Sequence, residues 1–435
     1  MSQRCLLIAD DLTGGADAGA QFAKRGLSTL LISLKDDAKI DFSKYRDRDV
    51  LVVNTDSRGL PPEKAFSLIS SLLKGYDEGL FPIIYKKIDS TLRGNIGYEI
   101  DAILKETSSS MCFMAPSYPE QNRTLVGGIM MVGSRPLALT EVVRDTASPV
   151  KESHVSKLLQ HQSRNNVGVI DLTYVASSSG RLKKSVDEER KKGNKIIIFD
   201  AVSRQDLTNI VEAAFCIDRK PLFVGSAGLA EEVAKKLSPS RIRSSQPPDR
   251  AGKSFKHIVI ISGSTSTVTQ QQLNRALERN IPAFQLNKPL VTSDDPEAQK
   301  KRKELSKKIA NSLSEKHVMI RTTSEILSTD DSTGLPIHLK ITKILASIAL
   351  LAMEESKVDV HDLVLILTGG DTAQSVINIL GAEGVEIEGE LLEGIVKGHL
   401  IGGEWGGLTV ITKAGAFGKE DALKKIIEII ETGSL

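Results

Sequence analysis

The stretch LLIADDLTGG, residues 6–15, joins a short apolar run to a polar loop that contains glycine. A run of this kind, followed by a helical pattern, is typical of a buried β-strand that leads through a loop into a helix. The same pattern recurs where apolar runs end in polar loops, at 50–53, 83–85 and 111–114. Apolar strands that alternate with helices predict parallel sheets covered on both faces. We therefore expect an α/β protein with doubly wound, mainly parallel sheets.

The pattern stops in the segment SPSRIRSSQPPDRAGKS, residues 238–254, and starts again after it. This segment has many Ser, Pro and Arg residues and no apolar period, which is typical of a linker. Strand-like runs then return at 257–261, 363–367 and 408–411. A chain of 435 residues is also longer than one ordinary domain. We predict an N-terminal domain over residues 1–237, a linker over 238–254 and a C-terminal domain over 255–435.

Composition excludes several classes of protein. The net charge is only +2 and basic residues are interleaved with acidic ones, so no nucleic-acid surface is predicted. The three cysteines, Cys5, Cys112 and Cys216, lie far apart and predict no disulfide framework, and the seven histidines show no metal-ligand spacing. No apolar run is long enough for a membrane span, and the N-terminus lacks a signal-peptide pattern. We expect a cytoplasmic protein that binds neither nucleic acid nor membrane.

In open α/β sheets, ligands bind beyond the carboxyl ends of the strands. The loops of the N-terminal domain carry charges that scaffold loops do not need, at Asp10, Asp11, Arg58, Lys87 and Asp89. The cations could pair with a carboxylate, while the aspartates could accept hydrogen bonds from hydroxyl groups. This mixture suits a small polyhydroxy acid, although one of the adjacent aspartates could simply cap the next helix. For Arg93 and Arg123, a substrate contact and a structural ion pair both remain open.

Three loops of the C-terminal domain could hold phosphate, because each joins a strand to the N-terminus of a helix. The candidate residues are Ser262, Ser264, Ser266, Gly369, Gly370, Asp371, Thr372, Lys413 and Gly415. None of these loops matches the P-loop or the G-x-G-x-x-G pattern, and ordinary helix capping would explain each one alone. Together they favour nucleotide binding. With acceptor-type loops before the linker and phosphate-type loops after it, the sequence predicts a kinase with an active-site cleft between its domains.

The motifs taken together resemble the four-carbon acid sugar kinases, the family that contains D-threonate, D-erythronate and 3-oxo-tetronate kinases. IADDLTGGADAG, NTDSR, KKIDSTLRGN and APSYPEQNRT resemble its N-terminal domain, while SGSTSTVTQQQ, LTGGDTA and KAGAFG resemble its nucleotide-binding C-terminal domain. The similarity covers nearly the whole chain, in order. Three positions depart from the family pattern: Gly15 stands where Ala is usual, Asn122 where Gly is expected, and Ala416 where Gly is common.

The resemblance implies ATP-dependent phosphorylation of the terminal 4-hydroxyl group of a four-carbon sugar acid. It implies that ATP binds at the Ser-rich loop, at Gly369 to Thr372, and at Gly415. It also implies substrate contacts at Asp10, Arg58 and the segment Lys87–Ser90, to which we add Asp11 and Arg93. The expected substrate contacts are Asp10, Asp11, Arg58, Lys87, Ile88, Asp89, Ser90 and Arg93.

A mechanism follows as a hypothesis. The acid's carboxylate would anchor on Arg58 and Lys87, and Asp10, preferred over Asp11, would orient the far hydroxyl group and take its proton. Mg²⁺ would bridge the phosphates, with Asp371 one candidate ligand. Two alternatives stay open: a ligase that forms an acyl phosphate, and a sugar-acid binding protein that responds to nucleotide. A homodimer is a further expectation.

Overall fold

The computed structural model describes residues 4–34, 39–145, 148–217, 221–238, 255–264, 266–293, 295–322, 337–415 and 417–433. The chain divides into two compact units, Met1–Arg243 and Ser244–Leu435. Of the segment predicted as a linker, only Ser238 is described, and the rest of 238–254 lies outside the described residues. Among the described helices, none combines the length and the apolar character that crossing a membrane requires.

The first unit is built on a parallel sheet. Its described strands, which include three that form a separate small sheet, are β1 (Cys5–Ala9), β2 (Thr29–Ser33), β3 (Val50–Asn54), β4 (Ile83–Lys87), β5 (Cys112–Ala115), β6 (Arg123–Val126), β7 (Ile129–Val132), β8 (Arg135–Pro136), β9 (Val167–Ile170), β10 (Ile196–Phe199) and β11 (Leu222–Gly225). In the main sheet the order is β2-β3-β1-β4-β11-β5-β10-β9, and all neighbours run parallel.

Helices connect these strands and cover them. The described helices of the first unit are α1 (Leu12–Ala23), α2 (Pro62–Leu73), α3 (Ile96–Glu106), α4 (Val155–Gln162), α5 (Leu172–Val175), α6 (Ser179–Lys191), α7 (Arg204–Ile217) and α8 (Ala227–Leu237). Strands β1, β3 and β4 are buried at every position, as expected for a parallel sheet with both faces covered. The apolar runs were therefore a correct signal for this unit.

Five strands of the main sheet end at one level. In the hydrogen-bonded register Ala9 is paired with Asn54 on one side and with Lys87 on the other. Lys87 is paired in turn with Gly225, and Gly225 with Ala115. Because the strands are parallel, the polar loops that follow these residues all leave from the same edge of the sheet.

A small antiparallel sheet, in the order β6-β7-β8, was not predicted from the sequence. Backbone hydrogen bonds between Leu125 and Ala201 fasten it beside the main sheet. The Asp200 carboxylate accepts further bonds from the backbone N–H groups of Gly127 at 2.6 Å and Gly128 at 2.9 Å. These contacts fix the position of β6 and of the turn that follows it.

The second unit has a mostly parallel sheet with an antiparallel edge. Its described strands are β12 (His257–Ser262), β13 (Ala283–Leu286), β14 (Val318–Thr322), β15 (Leu363–Thr368), β16 (Gly384–Leu392), β17 (Ile395–Ile401) and β18 (Thr409–Lys413). Their order is β13-β14-β12-β15-β18-β17-β16, and only the pairs made by β17 are antiparallel within this unit's described strands. The tight turn between β16 and β17 uses Gly394 at φ +70°.

The described helices of the second unit are α9 (Thr267–Leu277), α10 (Lys288–Thr292), α11 (Pro296–Glu315), α12 (Ile337–Ser356), α13 (Gly370–Ile379) and α14 (Ala422–Thr432). In the sheet, Ser262 is paired with Thr368, and Thr368 with Lys413. The three loops predicted to hold phosphate therefore begin side by side. The predicted α/β class with two mainly parallel sheets is confirmed.

Candidate active site

The first unit brings Asp10 and Arg58 into direct contact. Arg58 donates from Nε to Asp10 Oδ2 at 2.8 Å and from Nη2 to Asp10 Oδ1 at 3.0 Å. Its Nη2 also donates to Asp11 Oδ1 at 2.6 Å. One guanidinium group therefore holds two of the predicted carboxylates. It binds Asp10 in the bidentate arrangement, which is the strongest geometry for such a pair, and Asp11 through one hydrogen bond. These contacts partly neutralise the positive charge of Arg58, so less of that charge acts on a ligand.

Asp11 caps the helix that follows it, which was the alternative left open by the sequence. Its Oδ1 accepts a hydrogen bond from the backbone N–H of Gly14 at 3.2 Å, at the N-terminus of α1. Its Oδ2 accepts from the hydroxyl group of Thr13 at 2.8 Å. Asp10 makes no such cap, so its carboxylate faces Arg58 and the loops of the neighbouring strands.

A buried ion pair that was not predicted from the sequence lies close to Asp10. Lys86 on β4 and Glu99 on α3 are in contact, with Nζ and Oε2 2.5 Å apart and both side chains almost fully buried. The Ser57 hydroxyl group donates to the other oxygen of Glu99. Because Ser57 precedes Arg58, this pair stabilises the loop that presents the guanidinium group.

Lys87 points to the other face of β4 and has a different environment. Its Nζ donates to the backbone carbonyl of Ile88 at 2.8 Å, and no carboxylate of the described residues is in ion-pair contact with it. A Cβ atom added to Gly14 would lie 3.1 Å from this Nζ, so the ammonium group sits at the N-terminus of α1. The Asp11 carboxylate that caps α1 lies near the same point, so Lys87 and the helix N-terminus face one carboxylate already and can attract a second anion beside it.

Asp89 is held by Arg93. The guanidinium group donates from Nε to Asp89 Oδ2 at 2.8 Å and from Nη2 to Oδ1 at 3.2 Å. Its Nη1 donates to Asp145 at 3.0 Å, and Thr91 donates to Asp89 as well. For Arg93 the structure therefore contains the ion pair that the sequence had left as one of two possibilities.

The remaining members of the segment after β4 are nearly buried. Ile88 is 1% exposed and donates its backbone N–H to Gly225 at 2.9 Å, while Ser90 is 7% exposed. Gly94 ends the segment at φ +96°, a conformation that favours glycine. A Cβ atom there would lie 3.1 Å from Asp10 Oδ2, so this glycine also gives the carboxylate its space.

The charges of this cluster set the protonation of its carboxylates. Burial by itself would raise the pKa of Asp10, but the charges of Arg58 and Lys86 outweigh it and hold that pKa below its usual value. Burial raises the pKa of Glu99 despite the charge of Lys86. The pKa of Asp89 lies far below its usual value, because Arg93 and Arg58 outweigh its burial. Asp10 and Asp89 are therefore carboxylates at neutral pH.

In the second unit, the loops after β12, β15 and β18 converge. A Cβ atom on Gly415 would lie 2.9 Å from Ser264 Oγ, and one on Gly369 would lie 3.7 Å from Ser264 Cβ. The backbone N–H of Gly263 donates to Thr372 Oγ1 at 3.2 Å. Gly369 has φ +97° and precedes α13, where it permits close approach of a ligand to the helix N-terminus.

The predicted residues of this unit have different local roles. Ser266 caps α9, accepting from the backbone N–H of Thr269 at 3.2 Å, and its hydroxyl group donates to the Gly415 carbonyl at 3.0 Å. The hydroxyl oxygens of Ser262 and Thr368, in contrast, are buried without a hydrogen-bond partner among the described residues. Asp371 is exposed in the first turn of α13. Gly370 is the first residue of that helix.

Lys413 is fully buried at the end of β18. Its Nζ donates to the carbonyl groups of Ala414 at 2.8 Å and Gly415 at 3.2 Å. Burial lowers the pKa of this ammonium group to about 8. A buried cation whose described partners are carbonyl groups can gain from a phosphate oxygen nearby.

Sequence reasoning missed residues that fasten this loop. Gln272 on α9 donates through Nε2 to the carbonyl groups of Phe417, Gly418 and Lys419 at 2.9–3.1 Å. Thr269 donates to the Gly415 carbonyl. A polar run, TQQQ at 269–272, inside a helix was the available signal, but it does not tell which residue faces inward. No group of three His, Cys, Asp or Glu residues in the described ranges could hold a metal ion by itself.

Comparisons with known proteins cover the whole chain. A family model described as a sugar-binding N-terminal domain matches residues 5–233, and one described as a nucleotide-binding C-terminal domain matches residues 259–423. A D-threonate kinase of Salmonella typhimurium is 31% identical, over 98% of this chain and 98% of its own. A D-erythronate kinase of Heliobacterium modesticaldum is 29% identical, over 98% of this chain and 97% of its own.

A solved structure from Salmonella typhimurium shares the fold. It matches with a TM-score of 0.78 and 21% identity, over 97% of this chain and 98% of that one. At this level of identity the likeness concerns the fold alone.

Proposed function

Because the chain belongs to the family of four-carbon acid sugar kinases, we propose that it uses ATP to phosphorylate the 4-hydroxyl group of a four-carbon sugar acid in carbohydrate catabolism. The acceptor is D-threonate, D-erythronate or 3-oxo-tetronate. The observation that carries the proposal is the row of strand ends at Ala9, Asn54 and Lys87. It gathers carboxylates that accept hydroxyl groups and cations that attract an acid.

The acceptor binds at the loops after β1, β3 and β4. Lys87 supplies a buried positive charge beside the N-terminus of α1, which suits a carboxylate. Asp10, Asp11 and Asp89 offer oxygen atoms to hydroxyl groups, and Ile88, Ser90 and Arg93 line the same segment. Arg58 contributes mainly by fixing Asp10, because its hydrogen bonds already go to Asp10 and Asp11.

ATP binds at the loops after β12, β15 and β18. The glycines at 369, 370 and 415 let the backbone approach the phosphates, and Ser264 and Thr372 add hydroxyl donors. Ser262 and Ser266 support the first of these loops, and Lys413 gives a positive charge. These features supply what a triphosphate needs: backbone N–H groups, hydroxyl groups and one cation.

Mg²⁺ enters with the nucleotide. Magnesium in kinases is usually held by one or two carboxylates together with phosphate oxygens, so a cluster of three protein ligands is not needed. Asp371, exposed beside the glycines of the β15 loop, is the carboxylate that fits this role. Bound there, the ion would neutralise charge on the phosphates.

Phosphoryl transfer depends mainly on positioning and charge stabilisation. Asp10 accepts the hydrogen bond of the acceptor's terminal hydroxyl group, orients its oxygen toward the γ-phosphate and takes its proton as the new bond forms. Its pKa, held low by Arg58, makes it a weak base that is always ionised at neutral pH. This suits a loose transition state, in which the proton leaves late and orientation matters more than basicity.

A coupled assay of ADP release across a panel of tetronates tests the proposal. We expect turnover on at least one of D-threonate, D-erythronate and 3-oxo-tetronate, with a product stable to hydroxylamine. A product labile to hydroxylamine would instead indicate an acyl phosphate and a ligase. Ligand-dependent melting without ADP release would indicate a binding protein, and absence of turnover on every four-carbon acid would contradict the proposal.

A further inference from the structure

Arg123 is held at the sheet edge that carries the acceptor-binding loops. It is the first residue of β6 and follows the loop after β5. Its backbone is fixed twice to Tyr118, from N–H to carbonyl at 3.0 Å and from carbonyl to N–H at 2.8 Å. The preceding residue, Asn122, has φ +55°, a left-handed conformation that Asn tolerates and Gly favours. This explains why Asn can replace the glycine of the family pattern.

The guanidinium group of Arg123 is incompletely satisfied. Its Nη1 donates to the backbone carbonyl of Gln121, but its Nε is buried without a hydrogen-bond partner among the described residues. Buried donors in native proteins are almost always paired, with protein, with water or with a ligand. Burial also lowers the pKa of Arg123, while the negative charge of Asp89 acts in the opposite direction. The side chain therefore lies within electrostatic range of the acceptor cluster.

The nearby carboxylates are engaged elsewhere. Asp89 is bound by Arg93, and Glu120, in the same loop as Arg123, is bound by Arg204 at 2.8 Å. Asp10 is bound by Arg58. No described carboxylate forms an ion pair with Arg123, so the structural ion pair that the sequence left open for it is absent from the described part of the chain.

Distance within the sheet is compatible with a shared ligand. Strand β5 lies next to β11, and β11 lies next to β4. Neighbouring strands are about 4.8 Å apart, so the loops after β4 and β5 start about 10 Å from each other. The side chain of an arginine and a four-carbon acid can together span such a gap.

We propose that Arg123 binds the carboxylate of the sugar acid, and that its planar guanidinium group selects acids over neutral polyols of the same size. The inference rests on the proposed function and assigns a residue to its acceptor site. A guanidinium group matches a carboxylate in a bidentate manner, whereas Lys87 offers a point charge. Arg58 keeps its contacts with Asp10. The acid binds Arg123 and Lys87, neither of which forms an ion pair with a described carboxylate.

The test compares Arg123→Gln and Arg123→Lys with Arg135→Gln. Arg135 is a matched control, because Val132 on β7 is paired with Arg123 on one side and Arg135 on the other, and Arg135 is exposed. For Arg123→Gln we expect KM for the acid to rise about 100-fold, with KM for ATP nearly unchanged. Arg123→Lys should restore only part of the affinity for the acid, since lysine keeps the positive charge but lacks the planar guanidinium group that binds a carboxylate through two hydrogen bonds. Arg135→Gln should behave as the wild type.

A second comparison uses the acid and its neutral amide as acceptors. The wild type should prefer the acid strongly, and Arg123→Gln should lose most of that preference. If Arg123→Gln keeps the preference for the acid over the amide, or raises KM no more than Arg135→Gln does, the role of Arg123 is overturned while the kinase proposal stands. If Arg123→Gln lacks a cooperative melting transition, Arg123→Lys decides by the same criterion. Failure of the wild type on every tetronate would instead contradict the proposed function.

Discussion

The Arg58 guanidinium group binds the Asp10 carboxylate through two hydrogen bonds, at 2.8 and 3.0 Å. The two residues are 48 positions apart in the chain and are joined because β1 and β3 are neighbours that end at the same level. The contact fixes the orientation of Asp10 and keeps it ionised. It also gives Arg58 a second role beside the contact with the acid that the sequence predicts for it.

Replacement of Asp10 by Asn should reduce kcat about 100-fold or more, because the amide keeps an acceptor oxygen but loses the charge that binds Arg58 and the ability to take the proton of the hydroxyl group. ATP binding, measured by calorimetry, should change little, since the ATP loops belong to the second unit. Asp171→Asn is the control, because Asp171 is an exposed cap of α5 and Asn can also accept the hydrogen bond from the backbone N–H of Thr173. Near-normal activity of Asp10→Asn would exclude Asp10 as the base.

Gly94→Ala should cause a large loss of turnover and only a small loss of stability. The positive φ costs about 1 kcal/mol for an L-residue, and the new Cβ atom would press on Asp10 Oδ2 from 3.1 Å. Gly75→Ala separates the two effects, because Gly75 has φ +90° and no atom within 4 Å of its added Cβ. Thermal melting should show similar losses in both variants, and only Gly94→Ala should lose turnover. Equal activity in the two variants would show that contact with Asp10 is unimportant.

Glu99→Gln should destabilise the first unit by about 3 kcal/mol, because it leaves the buried ammonium group of Lys86 without its counter-charge. Urea unfolding measures the change. The double variant Lys86→Met/Glu99→Leu should recover much of it, since apolar pairs of similar volume often replace buried ion pairs at little cost. A single variant as stable as the wild type would mean that the ion pair contributes no more than its exposed counterparts do.

ATP affinity should fall as the pH rises through about 8, where Lys413 loses its proton. The sign follows from the cause: burial disfavours the ammonium form, so it persists only below this lowered pKa, and only that form attracts phosphate. Titration calorimetry between pH 7 and 9.5 should also show proton uptake on binding. Lys413→Gln should remove the uptake and flatten the profile. An unchanged affinity over this range would place Lys413 away from the phosphates.

The apolar runs at 6–9, 50–53 and 83–85 predicted β1, β3, β4 and the α/β class, because a strand buried on both faces is mostly apolar. They also located the candidate loops, since loops at the carboxyl ends of parallel strands share one edge. The small sheet of β6, β7 and β8 was missed. Its strands are only two to four residues long and partly exposed, so no period marks them.

The sequence did not show which charged side chains pair with each other. Arg58 and Arg93 were predicted to contact an acid, and the sequence did not show that each also forms ion pairs with aspartates. Which cation remains for a ligand depends on distances between loops that lie far apart in the chain. Local motifs contain no such distances.

Lys86 and Lys87 show the division most clearly. The sequence predicted both in the loop after an apolar run at 83–85, whereas both lie within β4. It offered nothing to tell their surroundings apart. In the pleated strand successive side chains point to opposite faces, so Lys86 meets Glu99 of α3 while Lys87 lies beside Gly14 of α1. The amino-acid sequence alone predicted the strand, the loop after it and the family. Only the packing of helices on the two faces of the sheet decided that Lys86 pairs with Glu99 in the core. Lys87 has no ion pair among the described residues and, we propose, binds the acid.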